Sequence, residues 1–325
     1  MKSNNTLAIV IPTFNRASFL NHCLELLSVF SADYGIRIYV SDNASDDDTE
    51  AVVQRWCAVN PLISYHRNAE NVGERNFEIA LQLPQTRYVW LLGDTYTIPR
   101  ASLEYVLNWL EKPQCSLDMV VLNLNGRVRD VQTQTYTDCN LLLRQLGWHM
   151  TCLSGLVYSR KLLEQARFDR YRDTNFIQTG VVFEYLDGRP FTIHWTQEHS
   201  VGGIALDGHV KESWRSKAFD IWVNRWVSFV LSLPPSYALQ SKLECIGAHG
   251  PLSGLFTVGG LANLRIDGVL HAAVVFDKRH LWKLVTRLPM AAVLLVSVTP
   301  KWLLKAMRSL RNCRRSGQGP SRRGA

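Results

Sequence analysis

Residues 7–16 read LAIVIPTFNR, and the first half of this stretch decides what kind of fold the chain forms. Five apolar residues follow one another without a polar break, as in a strand that is buried on both faces. The strand is predicted to end at Pro12, because proline has no N–H group with which to continue a sheet ladder.

The chain after this strand alternates between helical and strand patterns. Residues 15–30 place apolar side chains at helical spacing, and residues 36–45 read as a strand that breaks into a polar turn. Residues 88–94, YVWLLGD, form another buried apolar run. Strands that alternate with helices of about 10–15 residues predict an α/β fold with a mostly parallel sheet flanked by helices.

The pattern changes near residue 205 and is mainly helical from there on. We therefore predict an α/β domain over residues 1–205, a helical packing region over 206–277 and a basic amphipathic tail over 278–325. The last residues of the tail, 317–325, are predicted to be disordered, because they contain little that a core would bury.

The positive charge of the chain is concentrated at its end. Residues 301–325 contain eight basic residues and no acidic one, while the whole chain has 36 Lys and Arg against 28 Asp and Glu. Without the tail, the 28 remaining basic residues balance the 28 acidic ones. A neutral folded part argues against nucleic acid as a partner and for a local electrostatic contact of the tail.

The tail also carries apolar clusters. Residues 278–315 combine Trp, Leu and Val with Lys and Arg and contain no acid, as in a helix that lies on an anionic membrane surface. A packed C-terminal helix with a basic extension is the alternative. The longest uncharged apolar stretch, Leu288 to Pro300, has 13 residues, and a spanning helix needs about 20.

The location expected from the sequence is therefore cytoplasmic and peripheral, at the inner face of the cell membrane. The apolar run at the N-terminus is only five residues, which is too short for a signal-peptide core. The seven cysteines are odd in number and form no CxxC pair, so a reducing compartment is expected, without disulfides or a zinc framework.

Polar residues follow four of the predicted strands directly. They are Thr13, Asn15 and Arg16, then Asp42 and Asn43, then Arg67 and Asn68, and finally Asp94. Ligands of parallel α/β sheets bind outside the carboxyl ends of the strands. Because these ends meet at one edge, we expect the polar residues to form a single site.

Four motifs at these ends resemble the family 2 glycosyltransferases, which have the GT-A fold. They are IPTFNR (11–16), SDNASDDDT (41–49), NVGERNFEIAL (71–81) and WLLGDTY (90–96). The resemblance covers about residues 5–200, and its order and spacing are more specific than any one motif. Within the family, the chain looks most similar to bacterial enzymes that add deoxyhexoses such as rhamnose or abequose to lipopolysaccharide.

This resemblance implies a nucleoside-diphosphate sugar as donor and a set of residues that bind it. The implied donor-binding residues are Thr13, Asn15, Arg16, Asp42, Asn43, Arg75, Gly93 and Asp94. In this interpretation Asp42 accepts the N3–H of a pyrimidine base and Arg75 contacts phosphate. The alternative for Asp42 is a turn residue that caps the next helix, and the alternative for Asn15 is ordinary helix capping. The alternative for Arg75 is an arginine on the surface with no ligand.

Asp94 is the residue with the most direct chemical role under the resemblance. In the family this position carries an acidic pair or triplet that holds Mg²⁺ or Mn²⁺ on the diphosphate. Here Thr95 and Tyr96 follow, so one carboxylate remains. His199 is a candidate second ligand, and a loop histidine without a metal is the alternative. The acids at 46–48 are expected to be the solvated first turn of a helix.

The general base is the remaining catalytic residue to assign. Inverting members of the family place a Glu-Asp pair at the start of a helix beneath the acceptor, and residues 168–188 contain no such pair. Asp173, just before a predicted helix, is the first candidate, followed by Asp169 and Glu184. A base must come within hydrogen-bonding reach of the acceptor hydroxyl.

The function predicted from these residues is inverting transfer of a deoxyhexose to a hydroxyl of a lipopolysaccharide or lipid-linked glycan, with residues 206–277 on the acceptor side. One alternative keeps the fold and uses a hexose or N-acetylhexosamine donor. Another is a non-catalytic relative that binds nucleotide sugars or glycans. A Rossmann oxidoreductase is disfavoured, because no GxGxxG motif follows the first strand.

Overall fold

A computed structural model describes residues 5–112, 114–206 and 214–316. They group into two compact units. The first contains the described residues before 207 together with Phe229–Cys245, and the second contains residues 214–228 and the described residues after 245. The first unit thus takes in a helical segment from the region predicted as 206–277. The predicted disorder of residues 317–325 lies outside the described residues.

The first unit is built on a sheet to which the described residues contribute nine strands. These are β1 (Leu7–Thr13), β2 (Arg37–Asp42), β3 (Ile63–Arg67), β4 (Tyr88–Leu91), β5 (Tyr96–Thr97), β6 (Met119–Leu124), β7 (Gln134–Tyr136), β8 (Leu156–Ser159) and β9 (Ile193–Gly203). The order is β3-β2-β1-β4-β8-β6-β9-β5, and β7 pairs with β9.

Six of these strands run in the same direction. β1 is parallel to β2 and β4, and β2 is parallel to β3. β8 is antiparallel to both β4 and β6, so β6 returns to the direction of β4, and β9 is parallel to β6. The carboxyl ends of β1, β2, β3, β4 and β6 therefore lie at one edge of the sheet.

Helices precede or follow most of these strands. In the first part of the chain they are α1 (Ala17–Tyr34), α2 (Thr49–Val59), α3 (Arg75–Gln82), α4 (Arg100–Leu110), α5 (Cys139–Leu146), α6 (Arg160–Glu164) and α7 (Ile177–Tyr185). Short 3₁₀ turns cover His149–Thr151, Leu153–Gly155 and Phe168–Tyr171.

The apolar runs form the centre of this sheet, as predicted. Every residue of β1 is buried, and so is every residue of β4. Burial of such strands stabilises the fold by roughly 25 cal/mol for each Å² of apolar surface removed from water. β1 does not end at Pro12 but continues to Thr13, with Pro12 opposite Ser41 of β2. Pro12 lies beyond Val10, the last residue of β1 that pairs with β4, so its missing N–H breaks no bond there.

Helices dominate the chain after residue 213. They are α8 (Trp226–Ser232), α9 (Leu239–Leu252), α10 (Val258–Ile266), α11 (Ala272–Asp277), α12 (Arg279–Val285), α13 (Met290–Val298) and α14 (Lys301–Ser316). In the second unit, the rings of Phe219, Phe256 and Trp282 pack together with centroids 5.5–6.1 Å apart. These buried aromatic rings supply a core for that unit.

Within the described residues, no single helix is long and apolar enough to cross a membrane. The pair α12 and α13 meets the length and composition for a span only when taken together, and the two helices are bent by 111° at the break between them.

Candidate functional site

Asp94 lies three residues after β4, and its carboxylate binds residues at the end of β1. Its side chain is almost fully buried, at 2% exposure. The hydroxyl of Thr13 donates to Oδ2 over 2.9 Å, and Nη1 of Arg16 donates to Oδ1 over 3.1 Å. A buried carboxylate is stable only when it is paired and hydrogen-bonded, so these two partners fix Asp94 at the edge of the sheet.

Gly93 allows the loop after β4 to pack tightly. Its backbone N–H donates to the hydroxyl of Ser154 over 3.0 Å. A Cβ atom here would lie 3.2 Å from the ring of Tyr96 and 3.3 Å from the Ser154 hydroxyl. Glycine therefore brings the turn before β8 directly against the start of the Asp94 loop.

Asp42 ends β2, and its carboxylate has no exposed surface. Oδ1 accepts the N–H and the hydroxyl of Ser45, and Oδ2 accepts Tyr65 Oη and Arg67 Nη1 over 2.7 and 3.1 Å. A carboxylate has about four such acceptor positions. Reading of a nucleobase by Asp42 stays a prediction, and it requires one of these partners to give way.

Asn15 connects the loops after β1 and β2. Its φ of 51° is in the left-handed region, which asparagine tolerates. Its N–H donates to Ser45 Oγ, and its side-chain oxygen accepts the N–H of Asp46. Asn15 does not cap α1. That role falls to Asp47, whose carboxylate accepts the N–H of Ala17 over 2.9 Å, while residues 46–48 are all exposed directly before α2.

Asn43 organises the loop before α3. Its amide nitrogen donates to Asn71 Oδ1 and its amide oxygen accepts the N–H of Val72. Asn68 also donates to this oxygen, over 3.1 Å. Arg75 is the first residue of α3 and is exposed. The structure thus brings Thr13, Arg16 and Asp94 into one group and Asn43 into a supporting network, with Arg75 on the surface.

A second cationic group follows β6. Nε and Nη2 of Arg127 donate to Nδ1 and to the backbone oxygen of His149, each over 2.9 Å, and the guanidinium lies 4.7 Å from the Trp148 ring centroid. His149 Nε2 contacts the carbonyl of Leu122 over 2.9 Å. Burial, together with the nearby charge of Arg127, lowers the pKa of His149 to about 3, so the imidazole is neutral and accepts from Arg127 at Nδ1.

The candidate base Asp173 lies in the loop between Phe168–Tyr171 and α7. Its φ of 65° is in the left-handed region, its side chain is exposed, and Asn175 has a φ of 69°. Arg172 holds this loop to α3 through Nη2 and Nε, which bind the carboxylate of Glu78 over 2.8 and 3.1 Å. Glu184 lies within α7, where its carboxylate accepts Tyr171 Oη over 2.8 Å.

Glu74 faces the same loop. Both of its carboxyl oxygens are buried, and the backbone amides of residues 173–175 lie near them. The pKa of Glu74 is raised to about 7, chiefly by burial and also by the charge of Asp173, whereas the nearby backbone amides oppose the rise. Asp173 thus lies close enough to Glu74 for its charge to affect the Glu74 carboxyl.

We expect Glu74→Gln to make the fold less sensitive to pH. Because the pKa is raised from 4.5 to about 7 on folding, the folded chain holds a proton that the unfolded chain releases, and stability falls as pH rises through this window. The variant should raise the free energy of unfolding by about 1 kcal/mol at pH 8, after allowance for solvent screening, and change it little at pH 5. Urea unfolding at both pH values, with Glu70→Gln as an exposed control, measures this. Equal effects at the two pH values would contradict it.

His199 lies in an irregular part of β9. The pairing of β6 with β9 shifts between Leu122, opposite Thr196, and Asn123, opposite Ser200, so His199 belongs to a bulge. Its ring stacks on Tyr105 of α4 with centroids 3.9 Å apart, and burial lowers its pKa. A ring packed in this way has a structural role, and metal binding by His199 stays a prediction.

The residues that the structure describes do not by themselves form a site for Mg²⁺ or Mn²⁺. The two oxygens of Asp94 bind Thr13 and Arg16, and no group of three or more His, Cys, Asp or Glu side chains in the described chain is arranged to hold a metal. Mg²⁺ is often held by one or two carboxylates plus substrate phosphates. The donor set fits only that case, with Asp94 as the protein ligand once Arg16 has moved from Oδ1.

A mostly parallel sheet with a buried carboxylate and an arginine at its carboxyl edge is the arrangement expected of a glycosyltransferase with the GT-A fold. The chain belongs to glycosyl transferase family 2, and the profile of that family matches residues 8–172. The fold class and the enzyme class predicted from the strand ends are thereby confirmed.

Comparison with curated proteins finds the abequosyltransferase RfbV of Salmonella typhimurium, which is 34% identical over 110 residues. The aligned part spans about a third of each chain, 32% of this one and 32% of that one.

Among solved structures, TarS 1–349 of S. aureus in complex with UDP-GlcNAc has a TM-score of 0.54 at 11% identity, over 94% of this chain and 92% of that one. The mannosyltransferase PcManGT of Pyrobaculum calidifontis in complex with GDP-Man and Mn²⁺ has a TM-score of 0.53 at 15% identity, over 96% and 88%. At these identities the likeness shows the fold.

Sequence reasoning missed two groups at this edge, Arg127 and Glu74. The stretch MVVLNLNGR (119–127) places Arg127 after a strand just as IPTFNR places Arg16, and this parallel was the available signal. No comparable signal marks Glu74, because its neighbours at 173–175 are distant in sequence.

Proposed function

We propose that this chain is an inverting glycosyltransferase that moves a deoxyhexose, such as rhamnose, from a nucleoside diphosphate to a hydroxyl of a lipopolysaccharide or lipid-linked glycan. The observation that carries the proposal is the group of Asp94, Arg16 and Thr13 at the ends of β4 and β1. Family membership and the partial likeness to an abequosyltransferase support it.

The proposed reaction is a single displacement at the anomeric carbon. The acceptor oxygen forms a bond to this carbon while the bond from carbon to the diphosphate oxygen breaks, and the hydroxyl proton passes to a carboxylate. Asp173 is the proposed base, because its side chain is exposed on a loop that Arg172 and Glu78 hold in place. The negative charge of the leaving diphosphate would be offset by Arg16 and by Arg75 at the start of α3.

Mg²⁺ or Mn²⁺, when bound, would add positive charge at the diphosphate, with Asp94 as its protein ligand. TarS and PcManGT, with their UDP-GlcNAc, GDP-Man and Mn²⁺ complexes, motivate a nucleotide-sugar donor and this choice of metals.

A screen of UDP-, GDP-, CDP- and dTDP-sugars by thermal shift, with EDTA or with Mn²⁺, tests the proposal. Binding of the correct donor stabilises the folded chain by mass action, by about 2.7 kcal/mol when its concentration is 100 times Kd. Release of the nucleoside diphosphate from a dTDP- or CDP-deoxyhexose is the expected activity. If only a hexose or N-acetylhexosamine donor is turned over, that sugar replaces the deoxyhexose as the proposed donor. Binding of a donor without turnover would support the alternative of a non-catalytic relative.

We also propose that the chain binds the inner face of the cell membrane through α14. Trp302, Met307 and Leu310 are 58–70% exposed, and they fall on one side of the helix. Lys301, Lys305 and Arg308 fall on the other side, in a helix without an acidic residue. An apolar strip beside basic residues complements an anionic lipid surface, and such a location would bring the enzyme to a lipid-linked acceptor.

Exchange of Trp302→Ser together with Leu310→Ser should lower binding to phosphatidylglycerol vesicles at least about tenfold, because two large apolar side chains no longer enter the interface. Sedimentation with vesicles measures this, and high salt should weaken binding of the unaltered chain. Val59→Ser, at a residue 74% exposed in the first unit, is the matched control. The proposal fails when the unaltered chain ignores anionic vesicles or when the double variant binds as well as the control.

A further inference from the structure

Arg127 is a partly buried arginine whose charge has no acidic partner among the described residues. Burial lowers its pKa, and the groups that oppose this effect, Cys152 and Tyr96, are not Asp or Glu side chains. Its hydrogen bonds go to the neutral His149. Taking an ion out of water without a counter-ion is costly, so an arginine kept this way points to an anion that arrives from outside.

The position of Arg127 identifies where this anion binds. Arg127 lies three residues after β6, whose carboxyl end is at the same edge of the sheet as the end of β4. The segment 149–155 joins the two loops, because Arg127 binds His149 at one end and Ser154 accepts the N–H of Gly93 near the other. Arg127 is therefore beside the loop that carries Asp94.

The two arginines flank the loop that carries Asp94, because β1 lies on one side of β4 in the sheet and β6 lies beyond β8 on the other side. Arg16 comes from the end of β1 and Arg127 from the end of β6, so they approach the site from two sides.

We propose that Arg127 binds a phosphate of the donor's diphosphate and, with Arg16, offsets the charge of the leaving group. This inference rests on the proposed nucleotide-sugar donor. Arginine presents a planar fork that matches phosphate, and the bonds to His149 together with the contact to Trp148 hold this fork rigid before the donor arrives. Asp94 is followed by Thr95, so this loop offers one carboxylate, and the two arginines supply the positive charge of the site.

The test is equilibrium binding of UDP, GDP, CDP and dTDP, of the matching monophosphates and of inorganic pyrophosphate to the full chain in EDTA. We expect Arg127→Gln to raise Kd at least about tenfold for each diphosphate that the unaltered chain binds, as the loss of a charge-assisted bond implies. Kd for the monophosphates should change less than about threefold. Arg129→Gln, an exposed arginine two residues away, is the control and should match the unaltered chain.

Two outcomes overturn the inference. One is that Arg127→Gln binds the diphosphates within about twofold of the unaltered chain, and the other is that the unaltered chain binds none of them. If the variant does not fold, the unaltered chain can be modified with the arginine reagent p-hydroxyphenylglyoxal instead. A bound diphosphate should protect Arg127 and leave Arg129 reactive. Modification of Arg127 to the same extent with and without diphosphate rejects the inference. Binding of diphosphates without any sugar transfer would contradict the proposed function but would still support this inference.

Discussion

Asp94→Asn is expected to lower kcat/KM at least about 100-fold with the donor found in the nucleotide-sugar screen, because it removes charge at the reacting centre. The asparagine keeps the size of the side chain but loses the ion pair that places Arg16. Under the proposed function, the carboxylate that would hold a divalent cation on the donor is lost as well. Initial rates over a range of donor concentrations, with and without Mn²⁺, measure the effect.

Asp130→Asn, at an exposed position, is the matched control for Asp94→Asn and should retain full activity. Thermal unfolding of both variants separates a chemical effect from a loss of fold. If Asp94→Asn retains more than about a third of the activity, Asp94 is not an active-site residue. The group that it forms with Arg16 would then no longer support the proposed function.

Gly180→Ala is expected to destabilise the first unit by about 3 kcal/mol, because α7 packs directly on a buried ring. A Cβ atom at Gly180 would lie 2.4 Å from Cγ and Cδ1 of Tyr171. Tyr171 is fully buried and its ring meets that of Phe229 edge-on, so it cannot simply turn away. The gain of about 1 kcal/mol from replacing glycine in a helix is smaller than this clash.

The matched test for Gly180 is a double-mutant cycle with Tyr171→Ala. In that background the ring is absent, and Gly180→Ala should cost less than about 1 kcal/mol. Urea unfolding of the four chains gives the coupling. An equal cost of Gly180→Ala in both backgrounds would show that the ring is not the reason for glycine at this position.

The fold was predictable where local sequence controls it. The apolar composition of LAIVI and YVWLLGD predicts by itself that these strands are buried. The alternation of strands with helices predicts that the strands are parallel. The convergence of Thr13, Arg16 and Asp94 follows from this arrangement alone, since parallel strands bring their carboxyl ends to one edge. That part of the site needed no knowledge of side-chain contacts.

The rest of the site depends on contacts between residues that are far apart in sequence. The bulge in β9 turns His199 onto Tyr105, and a shift in pairing register leaves no periodic signature around His199. Asp47 caps α1 from a different loop, 30 positions away along the chain. Such contacts appear only after the sheet has assembled, and for this reason neither was anticipated.

The paired bonds between Arg172 and Glu78 have a consequence for protein engineering. They tie the segment that carries Asp173 to α3, whose preceding loop is in turn bonded to Asn43. Residues 168–176 thus cannot be exchanged independently of α3. A chimera that takes this segment from a family relative to change acceptor choice would leave Glu78 without its arginine partner unless residues 71–82 were exchanged with it.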